Sequence, residues 1–155
     1  MTCLMASATI LIDAPGDRVM AHLLAFSSYP AWCPFTEVMD ARGRLARGTT
    51  IVEQVRLSPA DSSRRETHVR VSALSARAIE WTSIVGHPCL LLARRTQVVT
   101  DEPPAAPGGA PRARYTTVDA LGGALAPLVR FLYGAKIAAG LASVAAALKA
   151  RAEAG

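Results

Sequence analysis

Residues Gly122 to Arg151 form the longest regular stretch in the chain, and they dictate what the remainder has to be. After two glycines, Pro127 falls where only the first turn of a helix tolerates proline, so a helix is expected over about 125–151. Leu128, Leu132, Gly140, Val144 and Leu148 recur at helical spacing, and the alanines between them favour helix by propensity. At about 1.5 Å per residue such a helix is roughly 40 Å long. It must lie across something broad. The rest of the chain reads mostly as strands, so the expected partner is the concave face of a curved antiparallel sheet.

The strands are legible in order. Cys3 to Ile12 alternates, with Leu4, Ala6, Ala8, Ile10 and Ile12 on one face. Asp13-Ala14-Pro15-Gly16-Asp17 breaks it and opens a helix with Val19, Leu23 and Phe26 on its apolar side, the acids sitting where a helix N-terminus favours them. Tyr29-Pro30-Ala31-Trp32-Cys33-Pro34 reads as a proline-bounded turn or short second helix. Phe35 to Gly43 and Thr49 to Leu57 follow as one hairpin, His68 to Leu74 and Ala78 to Val85 as another. Cys89 to Thr100 is a longer strand and Arg112 to Ala120 the last. Four prolines and two glycines mark Asp101 to Pro111 as a flexible loop without packed structure.

Composition narrows the function. A chain of 155 residues, 51% of them hydrophobic, is expected to be a single domain spanning 1–155 with ample core. The net charge is +5, but the 17 basic residues, arginine except for Lys136 and Lys149, are scattered from Arg18 to Arg151 instead of forming a stripe, which argues against nucleic-acid binding. Cys3, Cys33 and Cys89 are odd in number and lack CxxC spacing, so neither a disulfide framework nor a zinc site is suggested, and a reducing cytoplasm fits best. No leader pattern opens the chain. The uncharged run Ile137 to Leu148 is well short of the ~20 residues that span a bilayer, so stable membrane insertion is not expected. His22, His68 and His87 fall in different elements, and no HExxH, GxSxG, P-loop or dinucleotide fingerprint occurs; neither metal nor cofactor is expected. A monomer and a homodimer both remain open.

The order strand, two short helices, six strands, long helix resembles the START-like or SRPBCC superfamily, which includes polyketide cyclase/dehydrases, lipid-transfer domains and the Bet v 1 type. The matching pieces are Ile12-Asp13-Ala14-Pro15 with Val19, Tyr29-Pro30-Ala31-Trp32-Cys33-Pro34, Ile79-Glu80-Trp81, Leu121-Gly122-Gly123 with Pro127-Leu128, and Gly140-Leu141 ahead of Leu148-Lys149. They cover nearly the whole chain, and their order and spacing carry the likeness. The resemblance implies an α+β helix-grip: a seven-stranded curved antiparallel sheet wrapped around the long C-terminal helix, with two short helices after strand 1 and a cavity between sheet and helix. Relatives bind hydrophobic small molecules there. Many have asparagine where this chain has Cys33, so the hydrogen bond that side chain makes near the first turn is weakened or lost.

Alternation selects the polar residues that face such a cavity. Glu53 shares a face with Ile51, Val55 and Leu57; among apolar walls its pKa would be raised and it could act as a general acid or base, the alternative being an ion pair at the sheet rim. Trp81 shares a face with Ile79, Ser83 and Val85, to stack on a planar ligand or to fill volume. Arg94 and Arg95 are adjacent, so one must point in; if Leu90, Leu92, Thr96 and Val98 mark the inner face, it is Arg94. Tyr115 shares a face with Thr117 and Asp119 and is a candidate hydroxyl donor. Lys136 falls on the apolar side of the long helix beside Tyr133, as a base, a Schiff-base amine, or a stem that snorkels to the cavity mouth. The expected catalytic set is therefore Glu53, Arg94, Tyr115 and Lys136, and the expected wall Trp32, Phe35, Ile51, Val55, Val71, Trp81, Ser83, Leu92, Leu132, Tyr133 and Gly140. Two functions follow from different classes: a cofactor-independent cyclase/dehydratase-like biosynthetic enzyme, or a carrier that shields a lipid or other apolar ligand from water.

Overall fold

A computed structural model describes residues 2–56 and 64–155. Strand β1 (Thr2–Ile12) leads into α1 (Gly16–Leu24), a 3-10 turn (Phe26–Ser28) and α2 (Tyr29–Trp32). There follow β2 (Thr36–Ala41), β3 (Thr50–Val55), β4 (Arg65–Leu74), β5 (Ala78–Val85), β6 (Leu91–Glu102) and β7 (Arg112–Gly122), and α3 (Ala126–Glu153) closes the chain. The seven strands form one antiparallel sheet in the order β1-β7-β6-β5-β4-β3-β2, curved around α3 as a helix-grip. The expected strand end at Leu57 lies outside the described residues.

Local chemistry explains the joints. Pro15 caps α1 in extended geometry, Asp17 sits in its first turn, and Val19, Met20 and Leu23 form its buried side. Gly123 turns the chain from β7 into α3 at φ +97°, and a Cβ there would stand 2.5 Å from the Leu90 carbonyl oxygen. Only glycine fits that junction without strain. Asp101 and Glu102, expected in the loop, extend β6 instead, because they pair with Ala113 and Arg112 across the hairpin and Arg114 holds Glu102 at 2.7 Å. In β1 a bulge between Leu4 and Ala6 rotates Leu4 out of the expected apolar face and buries Met5 in its place.

Three apolar clusters hold the layers together. Ile12, Val19, Leu23, Tyr115 and Leu148 pack where α1 and the C-terminal half of α3 meet the sheet. Phe26, Tyr29, Ile51, Val71, Ile79 and Trp81 form the second, under the 3-10 turn and α2, and Met5, Ala6, Leu121, Ala126 and Leu141 the third, under the start of α3. Helix α3 is long and apolar enough, by length and composition, to cross a membrane, and here it lies along β1 and β7. Its sheet-facing side carries Ala126, Ile137, Leu141, Ala145, Leu148 and Ala152. The expected stripe is corrected at its N-terminal end: Leu128 and Leu132 face solvent at more than half exposure. A helix apolar on every side offers the sequence no polar stripe from which to read its outer face.

Candidate functional site

The clusters leave a hollow of about 430 Å³ between α3 and the sheet, lined by β2, β3, β5, β6, α2 and the middle of α3. A second hollow of about 290 Å³ lies against β1, β4 and β7. Both are walled by Glu53, Trp81, Arg95 and Ile137, so the charged side chains stand where the two spaces meet.

Register places them. Trp81 pairs with Arg95 across β5 and β6, and Arg95 with Asp119 across β6 and β7, so these side chains fall in a row on the concave face. Arg95 donates two parallel hydrogen bonds to Asp119, Nε to Oδ1 and an Nη to Oδ2, each 2.7 Å. That bidentate pairing is geometrically specific and charge-assisted. Burial works against the Arg95 charge, but Asp119 more than offsets it, so the guanidinium is held more firmly protonated than usual. Glu53 has no such partner among the described residues: burial pushes its carboxyl above the usual carboxylate range, Arg95 pulls it partly back, and Asp119 adds to the rise.

Deeper in, the Tyr115 hydroxyl donates to Gln97 Oε1, and burial pushes the phenol up to about 12. Gln97 lines the larger hollow, is 3% exposed, and its Nε2 has no partner among the described residues. Because Tyr115 occupies the carbonyl side of the amide, the donor side is left for a ligand oxygen. Cys33 also lines this space, its Sγ 3.3 Å from Thr36 Oγ1.

The expected site residues separate into three groups. Glu53, Lys136, Phe35, Val55, Trp81, Tyr133 and Gly140 line the larger hollow and Ser83 the smaller, with Lys136 exposed at the mouth. Trp32, Ile51, Val71 and Tyr115 sit behind the wall: Ile51, Val71 and Tyr115 fill the core, and Trp32 packs at 4.6 Å from the Tyr29 ring. Tyr115 therefore reaches the cavity through Gln97, not by its own hydroxyl. Leu92 and Leu132 line neither hollow, and Arg94 borders the smaller one while its side chain turns to Glu80. The inner face of β6 is Leu91, Ala93, Arg95, Gln97 and Val99, and Arg94 lies on the convex side near Glu80 at 3.7 Å, where Ser72 and Thr96 also bond that carboxylate. Counting apolar residues selects the wrong face because a cavity wall tolerates arginine and glutamine where a packed core does not. Arg95, Gln97 and Asp119 were not among the expected residues. The signal for them was the β6–β7 register: placing Glu102 opposite Arg112 sets Arg95 opposite Asp119.

A family model described as polyketide cyclase / dehydrase and lipid transport matches residues 5–153. No curated protein matches by sequence. Among solved structures, the Zhui aromatase/cyclase from Streptomyces sp. R1128 superposes with a TM-score of 0.76 at 14% identity, over 99% of this chain and 94% of that one. A truncated norcoclaurine synthase from Thalictrum flavum gives 0.62 at 15% identity, over 96% and 92%. The di-domain aromatase/cyclase StfQ of the steffimycin pathway gives 0.69 at 13% identity, over 96% of this chain and 50% of that one. At such identities the likeness concerns the fold.

Proposed function

The chain belongs to the polyketide cyclase / dehydrase and lipid transport family, and we propose that within it the protein is a cofactor-independent cyclase/dehydratase acting in the cytoplasm on an apolar chain that carries carbonyl oxygens. The observation behind this reading is Glu53: a carboxylate raised by burial, without a bidentate partner among the described residues, beside a fixed guanidinium at the meeting point of two hollows. In the proposed reaction Glu53 takes a proton from the carbon next to a ligand carbonyl, and Arg95 holds the enolate oxygen. The enolate carbon bonds to a second carbonyl of the same chain, and Glu53 returns its proton to the alkoxide so formed, giving a hydroxyl. Glu53 then takes the second proton from that carbon and delivers it to the hydroxyl, which leaves as water as the carbon–carbon double bond forms. Gln97 Nε2 would position a further ligand oxygen, and the apolar walls would hold the chain folded, which is a large rate term in itself. The hollow of about 430 Å³ falls within the range of small-molecule sites.

Native mass spectrometry of the protein from its own host, followed by denaturing extraction, tests the reading. An oxygenated ligand is expected, with wild type converting its linear precursor and Glu53→Gln binding it while kcat falls roughly 10²–10⁴-fold. An apolar lipid held unchanged by both proteins would instead assign the carrier function, which the largely apolar α3 wall of Val129, Ile137, Leu141 and Val144 also suits.

A further inference from the structure

The two ends of the molecule differ in chemistry. At the end where α1 begins and α3 finishes, acids stand among the bases: Arg77 bridges Asp17 and Asp101, Arg112 meets Asp13, and Lys149 meets Glu153, while Arg18 and Arg151 are in no ion pair among the described residues. At the other end, where α3 begins and the cavity opens, large apolar side chains stand in solvent. Val85 at the end of β5 and Leu90 in the β5–β6 connection are about half exposed, as are Leu128 and Leu132 of α3, and Phe131 is 84% exposed. Backbone hydrogen bonds from Ala124 to the Cys89 carbonyl and from Leu125 to the Leu90 carbonyl join these two segments into one surface. The surface is continuous with the cavity mouth, since Val85 lines the hollow and so do Val129, Tyr133 and Lys136 on the adjoining turns of α3.

Its charge identifies the occupant. Arg130 and Lys136 are exposed, neither is in an ion pair among the described residues, and no acidic residue occurs between Glu102 and Glu153 except Asp119, which is committed to Arg95. A second copy meeting this face across a two-fold axis would bring like cations together in an apolar contact, an arrangement that costs energy. An apolar layer beneath anionic groups matches it instead.

We propose that the cavity-mouth end docks peripherally on an anionic lipid bilayer. Phe131, Leu128 and Leu132 enter the boundary between headgroups and acyl chains, and Arg130 and Lys136 lie among the anionic headgroups. The mouth then opens against the membrane, and an apolar ligand passes between bilayer and cavity without crossing water. The proposal needs the cavity to accept an apolar ligand and is independent of whether that ligand reacts.

Flotation of the purified full chain with phosphatidylcholine vesicles, with and without phosphatidylglycerol, tests it. Wild type should float with the anionic vesicles, stay behind with phosphatidylcholine alone, and be released as salt is raised. Phe131→Glu and Arg130→Glu should each weaken binding roughly tenfold or more while keeping the wild-type melting temperature and the cavity ligand, so failure here is separable from failure of the cyclase reading. Three results would overturn the proposal: wild type remaining soluble with anionic vesicles, both variants floating like wild type, or salt-insensitive flotation. Sedimentation equilibrium showing a dimer that Phe131→Glu dissolves would assign the face to a second copy. Binding to polyglutamate but not to vesicles would assign it to an acidic protein.

Discussion

Glu53 and Arg95 sit on neighbouring walls of the same hollow, and burial works against both charges, but only one of them is fully compensated. The Arg95 charge is offset by Asp119 through two hydrogen bonds, whereas the pull of Arg95 on Glu53 does not cancel the effect of burial and the Glu53 carboxyl is raised. The sign of its effect on stability follows. Below about pH 4, the ordinary glutamate value, folded and unfolded chains both hold the proton. As pH climbs through the raised folded value, the folded state must keep a proton that the unfolded state has already released, or hold a charge in a poorly solvated place, and stability is lost. Glu53→Gln removes that loss. Its melting temperature should match wild type near pH 4 and exceed it progressively towards neutrality; a gap that narrows with rising pH would show that ionised Glu53 is better paired than its surroundings indicate. Alternation put Glu53 on the cavity side, and the concave face has it there. The same reasoning failed at Arg94 because both faces of β6 carry apolar residues, and the choice between them depended on a hairpin register that single-strand patterns do not contain.

At the scale of elements, the β7–α3 junction is a tight joint. Gly123 combines a positive φ with a Cβ position 2.5 Å from the Leu90 carbonyl, and the same turn region receives the backbone hydrogen bonds of Ala124 and Leu125. Gly123→Ala should cost at least about 2 kcal/mol, a fall of roughly 5 °C or more in melting temperature for a chain of this size. An unchanged melting curve would mean that the junction relaxes easily. The proline at the helix start and the paired glycines before it made this boundary legible to within a residue. The loop ahead of β7 was less so. Its prolines and glycines signalled a break, but cross-strand charge pairing carried β6 on to Glu102.

In the molecule as a whole, α3 closes the core and walls the cavity. Leu141, Ala145, Leu148 and Ala152 belong to two different apolar clusters, so removing them would leave both open. A chain ending at Gly140 should lose its cooperative thermal transition and near-ultraviolet circular dichroism; retention of both would mean that the sheet holds without its helix. The sequence by itself determined the elements and their order, because alternation, proline and glycine act within a few residues. It also determined that a long apolar helix must lie on a broad sheet. Tertiary structure alone decided which side of that helix met the sheet and which stayed in solvent, since all its sides are apolar. It alone set Arg95 rather than Arg94 beside Glu53, because that choice rests on strands brought together across a hairpin, where register and not local preference fixes each side chain's neighbours.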